Sequence, residues 1–403
     1  MQERRRWTVR DLRRDNRSVL LWSLFSCQPC SRQDLSEATG LSAASVSNVM
    51  RELISDGIVT EVGSVDSDGG RPRMLLRMNP ERGYVAGVDV GETCVRVVLF
   101  DLTMSERAKA EYALNPREHG AEVVVGRIAD GLADVLADSG ADPSAVLGAG
   151  IGVPGVVEQG AEVLVYGQTY GWHGVPLERL LRPAVGFPLY IDNGARTMAQ
   201  AELWFGAGRG ARQAVVCLMG SGLGASVITG TPGRGGSSAA VEWGHTTIEV
   251  GGRLCRCGSR GCLEAYVGAE AILDRYGLTA PGDDEETAFA ALISAASDRA
   301  AEVLDETALY LGAGIANLIN LFGPERIILG GWAGLLLGAR ILPGIRAAAE
   351  RHALSHRFAQ ASIDVGQLGP DAVALGAATL PLEHFLNGAL PLRPPAAGRR
   401  AAV

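Results

Sequence analysis

The spacing of apolar residues gives the first outline of this chain. Between Arg17 and Phe25 they fall at Val19, Leu20 and Leu24, which predicts one face of a helix. Ser31, followed three residues later by Asp34, has the pattern of a capping-box variant, and Gly40 marks the stop of the second helix it would open. A third helix is predicted from Ser42, as N-cap, to Gly57, with Val46, Val49, Met50 and Leu53 as its inward stripe. Ile58 to Val65 then alternates like a strand, SDGGRPR reads as a Gly-Pro turn carrying Arg71 and Arg73, and MLLRM reads as the returning strand. Residues 1–80 are therefore expected to form a winged helix-turn-helix.

The pattern changes at Tyr84. YVAGVDVGETCVRVVLFD predicts strand, tight glycine loop and strand, and a related unit recurs at 214–230, AVVCLMGSGLGASVITG. Two such hairpins far apart suggest a duplicated, two-lobed fold with a cleft between the lobes. Helix and strand patterns alternate elsewhere, so the class is α/β. The expected division is a small lobe over 84–196, joined by 371–385, and a large lobe over 197–370 with oligomer contacts. A Pro/Ala/Arg-rich tail over 386–403 is expected to be disordered.

Charge changes the reading of the first unit. The chain carries a net −8, which alone argues against nucleic acid, but residues 1–80 hold 12 Arg against 10 Asp plus Glu, a net of +2, so the remainder carries −10. The third helix shows small and polar residues on its outer face: Ser42 at the cap, then Ala44, Ser45, Ser47, Asn48 and Arg51. Small residues let a backbone approach a groove, and Ser, Asn and Arg meet bases and phosphates. With Arg71 and Arg73 on the wing, the expected partner is double-stranded DNA; the bland alternative is a small protein-interaction module. No apolar run of about 20 residues predicts a membrane span.

The seven cysteines fit a reducing cytoplasm better than a disulfide framework. Cys27 and Cys30 form a lone CxxC, taken as incidental. Cys255, Cys257 and Cys262 cluster after His245, and three thiolates with one imidazole make a closed tetrahedral set for Zn²⁺. With no open position, such an ion has a structural role. It would pin a loop carrying Glu242 and Glu264, whose carboxylates, with His245, suit the hydroxyls of a sugar.

These residues resemble the ROK family of repressors, open reading frames and kinases over about residues 10–385. The family signature, ExGH followed by CxCGxxGCLE, is matched at Glu242, Gly244, His245, Cys255, Cys257, Gly258, Gly261, Cys262, Leu263 and Glu264. GVPG at 152–155 and GWHGVPL at 171–177 resemble two further family segments. The resemblance implies a two-lobed, actin-like sugar-kinase fold, and a sugar held by Glu242, His245 and Glu264, with Asn193 beside them. His245 would give one ring nitrogen to zinc and the other to the ligand.

Two departures bear on activity. The family's kinases carry END or DND at a helix start, the last Asp acting as general base; here the segment is Asp192-Asn193-Gly194, and Gly194 has no side chain to take a proton. The first phosphate loop resembles DxGGT but reads Asp89-Val90-Gly91-Glu92-Thr93, with a carboxylate where phosphates would approach. Gly220, Gly222 and Gly224 of the second loop and the Gly330-Gly331 turn are kept, and Gln168 and Thr169 stand where an Asn often precedes Trp172. The resemblance implies a sugar-responsive regulator, expected to repress as a homodimer or homotetramer, with no enzymatic activity. The alternative is a DNA-tethered kinase that phosphorylates a hexose with ATP; a further one is a protein-interaction regulator with a vestigial cleft.

Overall fold

The computed structural model describes residues 9–67, 70–114, 119–230, 237–278 and 285–390. The first unit runs α1 (Val9–Cys27), β1 (Cys30–Ser31), α2 (Arg32–Thr39), α3 (Ala43–Ser55), β2 (Val59–Ser67) and β3 (Gly70–Met78). It is a winged helix-turn-helix. Ser31 caps α2 in a reciprocal capping box with Asp34, and Gly40 ends it in the left-handed region. Ser42 accepts the Ser45 amide at the start of α3, whose stripe Val46, Val49, Met50 and Leu53 is buried.

Two details differ from expectation. The inward face of α1 is Leu20, Leu21 and Leu24, while Val19 is 44% exposed, so the stripe is turned by about one residue. The wing is also longer: Gly70 to Arg73 belong to β3 rather than to a turn. Two register shifts, between Glu61 and Gly63 and between Val65 and Ser67, carry the pairing out to Ser67 and Gly70.

The first lobe contains β4 (Tyr84–Val90), β5 (Cys94–Asp101), β6 (Glu106–Ala113), α4 (Ala121–Ser139), β7 (Val146–Val153), β8 (Val156–Glu158), β9 (Leu164–Gly167), β10 (Trp172–Val175), α5 (Leu177–Leu181), β11 (Leu189–Asn193) and α6 (Gly194–Phe205). The second contains β12 (Gln213–Met219), β13 (Leu223–Thr229), β14 (Ser237–Val241), α7 (Glu264–Val267), α8 (Ala269–Tyr276), α9 (Glu285–Ser294), α10 (Asp298–Phe322), β15 (Arg326–Gly330), α11 (Gly331–His352), α12 (Ser355–Phe358) and β16 (Ser362–Val365); α13 (Ala372–Leu386) follows.

The central sheets are ordered β11-β7-β4-β5-β6 and β16-β15-β12-β13-β14. Each starts at its middle strand, turns back twice antiparallel, then adds two parallel strands on the other side. The same path traced twice is the duplication that the glycine hairpins announced.

Two helices lie between the sheets. α13 packs on β4 and β7, α6 packs on β12 and β13, and the two pack on each other. Their approach is close enough that a Cβ on Gly376 would stand 1.7 Å from the Thr197 carbonyl oxygen, so only glycine fits there. The lobe boundary drawn after residue 196 falls inside α6, which joins the lobes rather than ending one.

α6 also reaches the winged helix. Trp204, near its end, stacks edge-on with Trp22 at 5.0 Å and Phe25 at 5.8 Å. Trp22 Nε1 donates to Asn387 at 2.9 Å, just beyond α13. The segment expected to be a disordered tail thus contributes a residue to this junction; residues 391–403 lie outside the described part.

Candidate functional site

Between the lobes lies a cleft of about 550 Å³. Its lining brings together Asn193, Glu242, His245 and Glu264, the four residues expected to hold a sugar. β11 delivers Asn193, the turn after β14 delivers Glu242 and His245, and Glu264 opens α7.

Their chemistry is unequal. Glu242 is exposed at the cleft wall. Glu264 is 5% exposed; its Oε2 accepts the Leu223 amide at 2.8 Å, and its Oε1 accepts Arg256 Nε at 2.8 Å. The Asn193 amide is engaged in the fold itself: Oδ1 caps α6 by accepting the Ala195 and Arg196 amides, and Nδ2 donates to the Gly155 carbonyl at 2.7 Å. One Nδ2 hydrogen is all it has left for a ligand.

His245, Cys255, Cys257 and Cys262 place their ligand atoms within 4.8 Å of one another. His245 Nδ1 is 3.7 Å from Cys255 Sγ, and Cys257 and Cys262 Sγ are 3.7 Å apart. A tetrahedral ion with metal–sulfur bonds of ~2.3 Å needs sulfurs ~3.8 Å apart, so this donor set fits a metal ion. The loop is pinched shut by a Thr247–Cys262 bridge and a Leu254–Arg260 bridge. Gly261 sits at φ +80° with its Cα so near the Glu249 carbonyl that a Cβ would stand 1.6 Å from it, which is why the motif demands glycine there.

The nucleotide side is built differently. Gly194 is the first residue of α6, and a Cβ there would meet neighbours only at 3.6 Å or more. Space for a side chain exists where the family's general base would stand. Asp192 does not replace it: it pairs with Arg196 at 2.9 Å and is absent from the cleft lining.

Glu92 sits in the β4–β5 loop, which is clamped from behind. Tyr170 donates to the Gly91 carbonyl, the His119 ring contacts the Glu92 carbonyl at 2.9 Å, and Trp172 Nε1 donates to the His119 carbonyl at 2.9 Å. From this fixed loop the Glu92 carboxylate reaches across the cleft to Arg256, whose Nη1 and Nη2 donate to it at 2.6 and 2.9 Å. Arg256 therefore binds a first-lobe and a second-lobe carboxylate together, with Gly222 directly beneath: a Cβ there would stand 2.0 Å from Nη2. A second tie, Thr93 Oγ1 to Glu286 at 3.2 Å, spans the same gap.

Two more acids lie at this end, Asp89 in the cleft lining and Glu285 behind Ser221. Burial pushes Asp89 up to about 7, against the pull of Arg96. Burial likewise pushes Glu285 up to about 7 although Ser221 donates to it, and Glu285 Oε1 is buried without a hydrogen-bond partner.

On the winged helix, Ser42, Ala44, Asn48 and Arg51 are exposed on α3, while Ser45 and Ser47 are half-buried. Asn48 Oδ1 accepts Arg51 Nη1 at 3.2 Å. Arg73 turns inward to Asp34, at 3.6 Å, rather than standing at the tip. Arg71 is in β3, and its side chain lies outside the described part.

Comparison with known proteins decides the family. The ROK family model matches residues 85–384, and a winged helix-turn-helix DNA-binding model matches residues 14–60. The chain belongs to the ROK family. It is 31% identical to the xylose repressor of Caldicellulosiruptor bescii over 392 residues, which covers 93% of this chain and 97% of that one. Among solved structures, a ROK family transcriptional regulator described as a homologue of the Escherichia coli MLC protein superposes with a TM-score of 0.72 at 24% identity, covering 93% of this chain and 97% of that one. A ROK family glucokinase from Streptomyces griseus, solved with glucose and AMPPNP, superposes with a TM-score of 0.64 at 28% identity and covers 99% of its own length but 74% of this chain. The repressor match runs nearly the full length; the kinase match leaves about a quarter of this chain uncovered.

The residues that sequence reasoning missed are Arg256, Tyr170 and His119. Arg256 occupies the variable position between two cysteine ligands, and nothing in the spacing links it to Glu92, 164 residues away. No helix among the described residues is long and apolar enough to cross a membrane.

Proposed function

We propose that this chain is a sugar-responsive DNA-binding transcriptional repressor whose kinase-like body binds a sugar and does not phosphorylate it. One observation carries the reading: Glu92 and Glu264, from opposite lobes, share Arg256 where a kinase would seat nucleotide phosphates. With Gly194 in the base position, the cleft keeps acceptors for hydroxyls but offers no general base there, and a carboxylate stands in its first glycine loop. The full-length likeness to a xylose repressor supports this reading and puts xylose first in the ligand panel.

His245, Cys255, Cys257 and Cys262 would hold Zn²⁺, which would fix the loop that presents Glu242 and Glu264. With Nδ1 turned to the cysteines, the other ring nitrogen of His245 is free for a hydroxyl. Glu264 orients its sugar contact through the Leu223 amide. α3 would enter the major groove, and a homodimer or homotetramer would set two winged helices on two half-sites. A sugar that binds the DNA-free arrangement more tightly than the DNA-bound one releases the operator.

The test uses the full-length chain. Duplexes selected from a random library are titrated by fluorescence anisotropy with and without pentoses, hexoses and amino sugars, and a coupled assay measures ATP turnover with the same sugars. At least one sugar should weaken DNA binding about tenfold or more, with no turnover. Turnover abolished by Glu264→Ala would instead establish the DNA-tethered kinase.

A further inference from the structure

Cys27 and Cys30 take no part in the readings above, yet the fold presses them together. Cys27 is the last residue of α1 and is exposed; Cys30 opens β1 and is 4% exposed, inside the core that holds Leu20, Leu24 and Leu35. Their Sγ atoms are 2.7 Å apart. Cys30 is held from both sides: it pairs with Leu76 of β3, and the next residue, Ser31, caps α2.

The two thiols have opposite characters. Contact with Cys30, and then with Ser23, holds Cys27 below the ordinary thiol range, and the same Cys30–Cys27 contact, with burial, pushes Cys30 well above it. An exposed thiol in contact with a buried one three residues on is the arrangement of an attacking and a resolving cysteine.

We propose that Cys27 and Cys30 form a reversible intramolecular disulfide with low-molecular-weight disulfides of the glutathione class. The Cys27 thiolate attacks one sulfur of the external disulfide, and the first small thiol leaves as its thiolate. Cys30 Sγ then gives its proton to solvent and attacks Cys27 Sγ, expelling the second small thiol. Two protein thiols are oxidised by two electrons, and one external disulfide is reduced to two thiols. Because the sulfurs already touch in the folded domain, the bond closes with α2 and α3 in place.

The experiment uses the full-length zinc-loaded chain equilibrated across a series of reduced-to-oxidised glutathione ratios, acid-quenched, alkylated and digested with trypsin. The peptide 18–32 contains Cys27 and Cys30 and no other cysteine. It should lose both alkylation sites together, two hydrogens lighter and with no glutathione attached. Cys30→Ser should stop at a mixed disulfide on Cys27, and Cys27→Ser should give neither product. The oxidised wild type should bind its selected duplex within twofold of the reduced protein. The proposal is overturned if wild type accumulates a glutathione adduct on Cys27, or if both thiols stay alkylatable while the 255–262 cysteines oxidise. A loss of duplex binding on clean closure of the bond would overturn the claim that α2 and α3 stay in place. None of these mass readouts requires the chain to sense a sugar.

Discussion

On the side of the cleft proposed to take a sugar, Glu242, His245 and Glu264 stand beside the His245–Cys255–Cys257–Cys262 cluster, which could hold a metal ion. On the side proposed to correspond to the kinases' phosphate site, Gly194 opens α6 and the Glu92–Arg256 ion pair crosses from one lobe to the other. Both sides rest on the same duplicated sheets, so the fold does not distinguish them. The carboxylates differ in engagement: Glu242 is open to solvent, whereas Glu92 and Glu264 are both paired with Arg256. Fold similarity to a glucokinase therefore says little about turnover, because function resides in the side chains grafted onto the scaffold.

The contrast can be broken from the sugar side first. Cys257→Ser should release the metal; structural zinc binding contributes on the order of 10 kcal/mol, so the 242–264 loop should lose its order and sugar response should vanish. Metal analysis that still finds one zinc per chain refutes the ligand set. Glu264→Ala should come next, leaving the Leu223 amide unpaired and Arg256 with one carboxylate. Sugar affinity should fall about 100-fold, equivalent to ~3 kcal/mol, by calorimetry on protein shown by circular dichroism to be folded.

The phosphate side offers a gain of activity as its test. Gly194→Asp places its Cβ no nearer than 3.6 Å to a neighbour, but alone it should leave the chain inactive, because Glu92 still occupies the loop. Glu92→Gly alone should be inactive for want of a base. The double substitution should show slow ATP-dependent phosphorylation of the bound sugar; equal activity in Gly194→Asp alone would show that Glu92 is no barrier.

The smallest effect concerns pH. Asp89 and Glu285, both pushed up to about 7, keep protons in the folded chain that the unfolded chain releases near pH 4. Their contribution to stability is thus greatest below about pH 4 and is lost as pH rises toward 7. Urea midpoints should fall between pH 5 and 7, and Asp89→Asn should flatten that slope, by a few kcal/mol at most. An unchanged slope would mean that Asp89 is ionised at neutral pH.

Local patterns were legible where one element determines them. The α3 stripe, the Ser31 capping box and the gathering of His245, Cys255, Cys257 and Cys262 follow from spacing along the chain, since each depends on residues within about one loop or one helix. The β4–β5 and β12–β13 hairpins were legible too, and with them the duplication. What escaped depends on distance in sequence. Val19 looked inward because periodicity gives a stripe but not its rotation against a partner. Arg73 looked like a tip residue because two bulges, invisible in composition, lengthen the wing. Asn193 looked free for a ligand, whereas capping α6 uses its carbonyl oxygen. Arg256 was silent because its meaning comes from Glu92 in the other lobe.

α6 has one further consequence. Its twelve residues give it a length of ~18 Å. One end is capped by Asn193 at the ligand cleft, and the other carries Trp204 against Trp22 of the DNA-reading unit. A hydrogen-bonded helix of this size is a strut: it neither stretches nor shortens, so a tilt imposed at the cleft cannot be absorbed along the way. The cleft wall at Asn193 and the winged helix at Trp22 are therefore joined by one short rod.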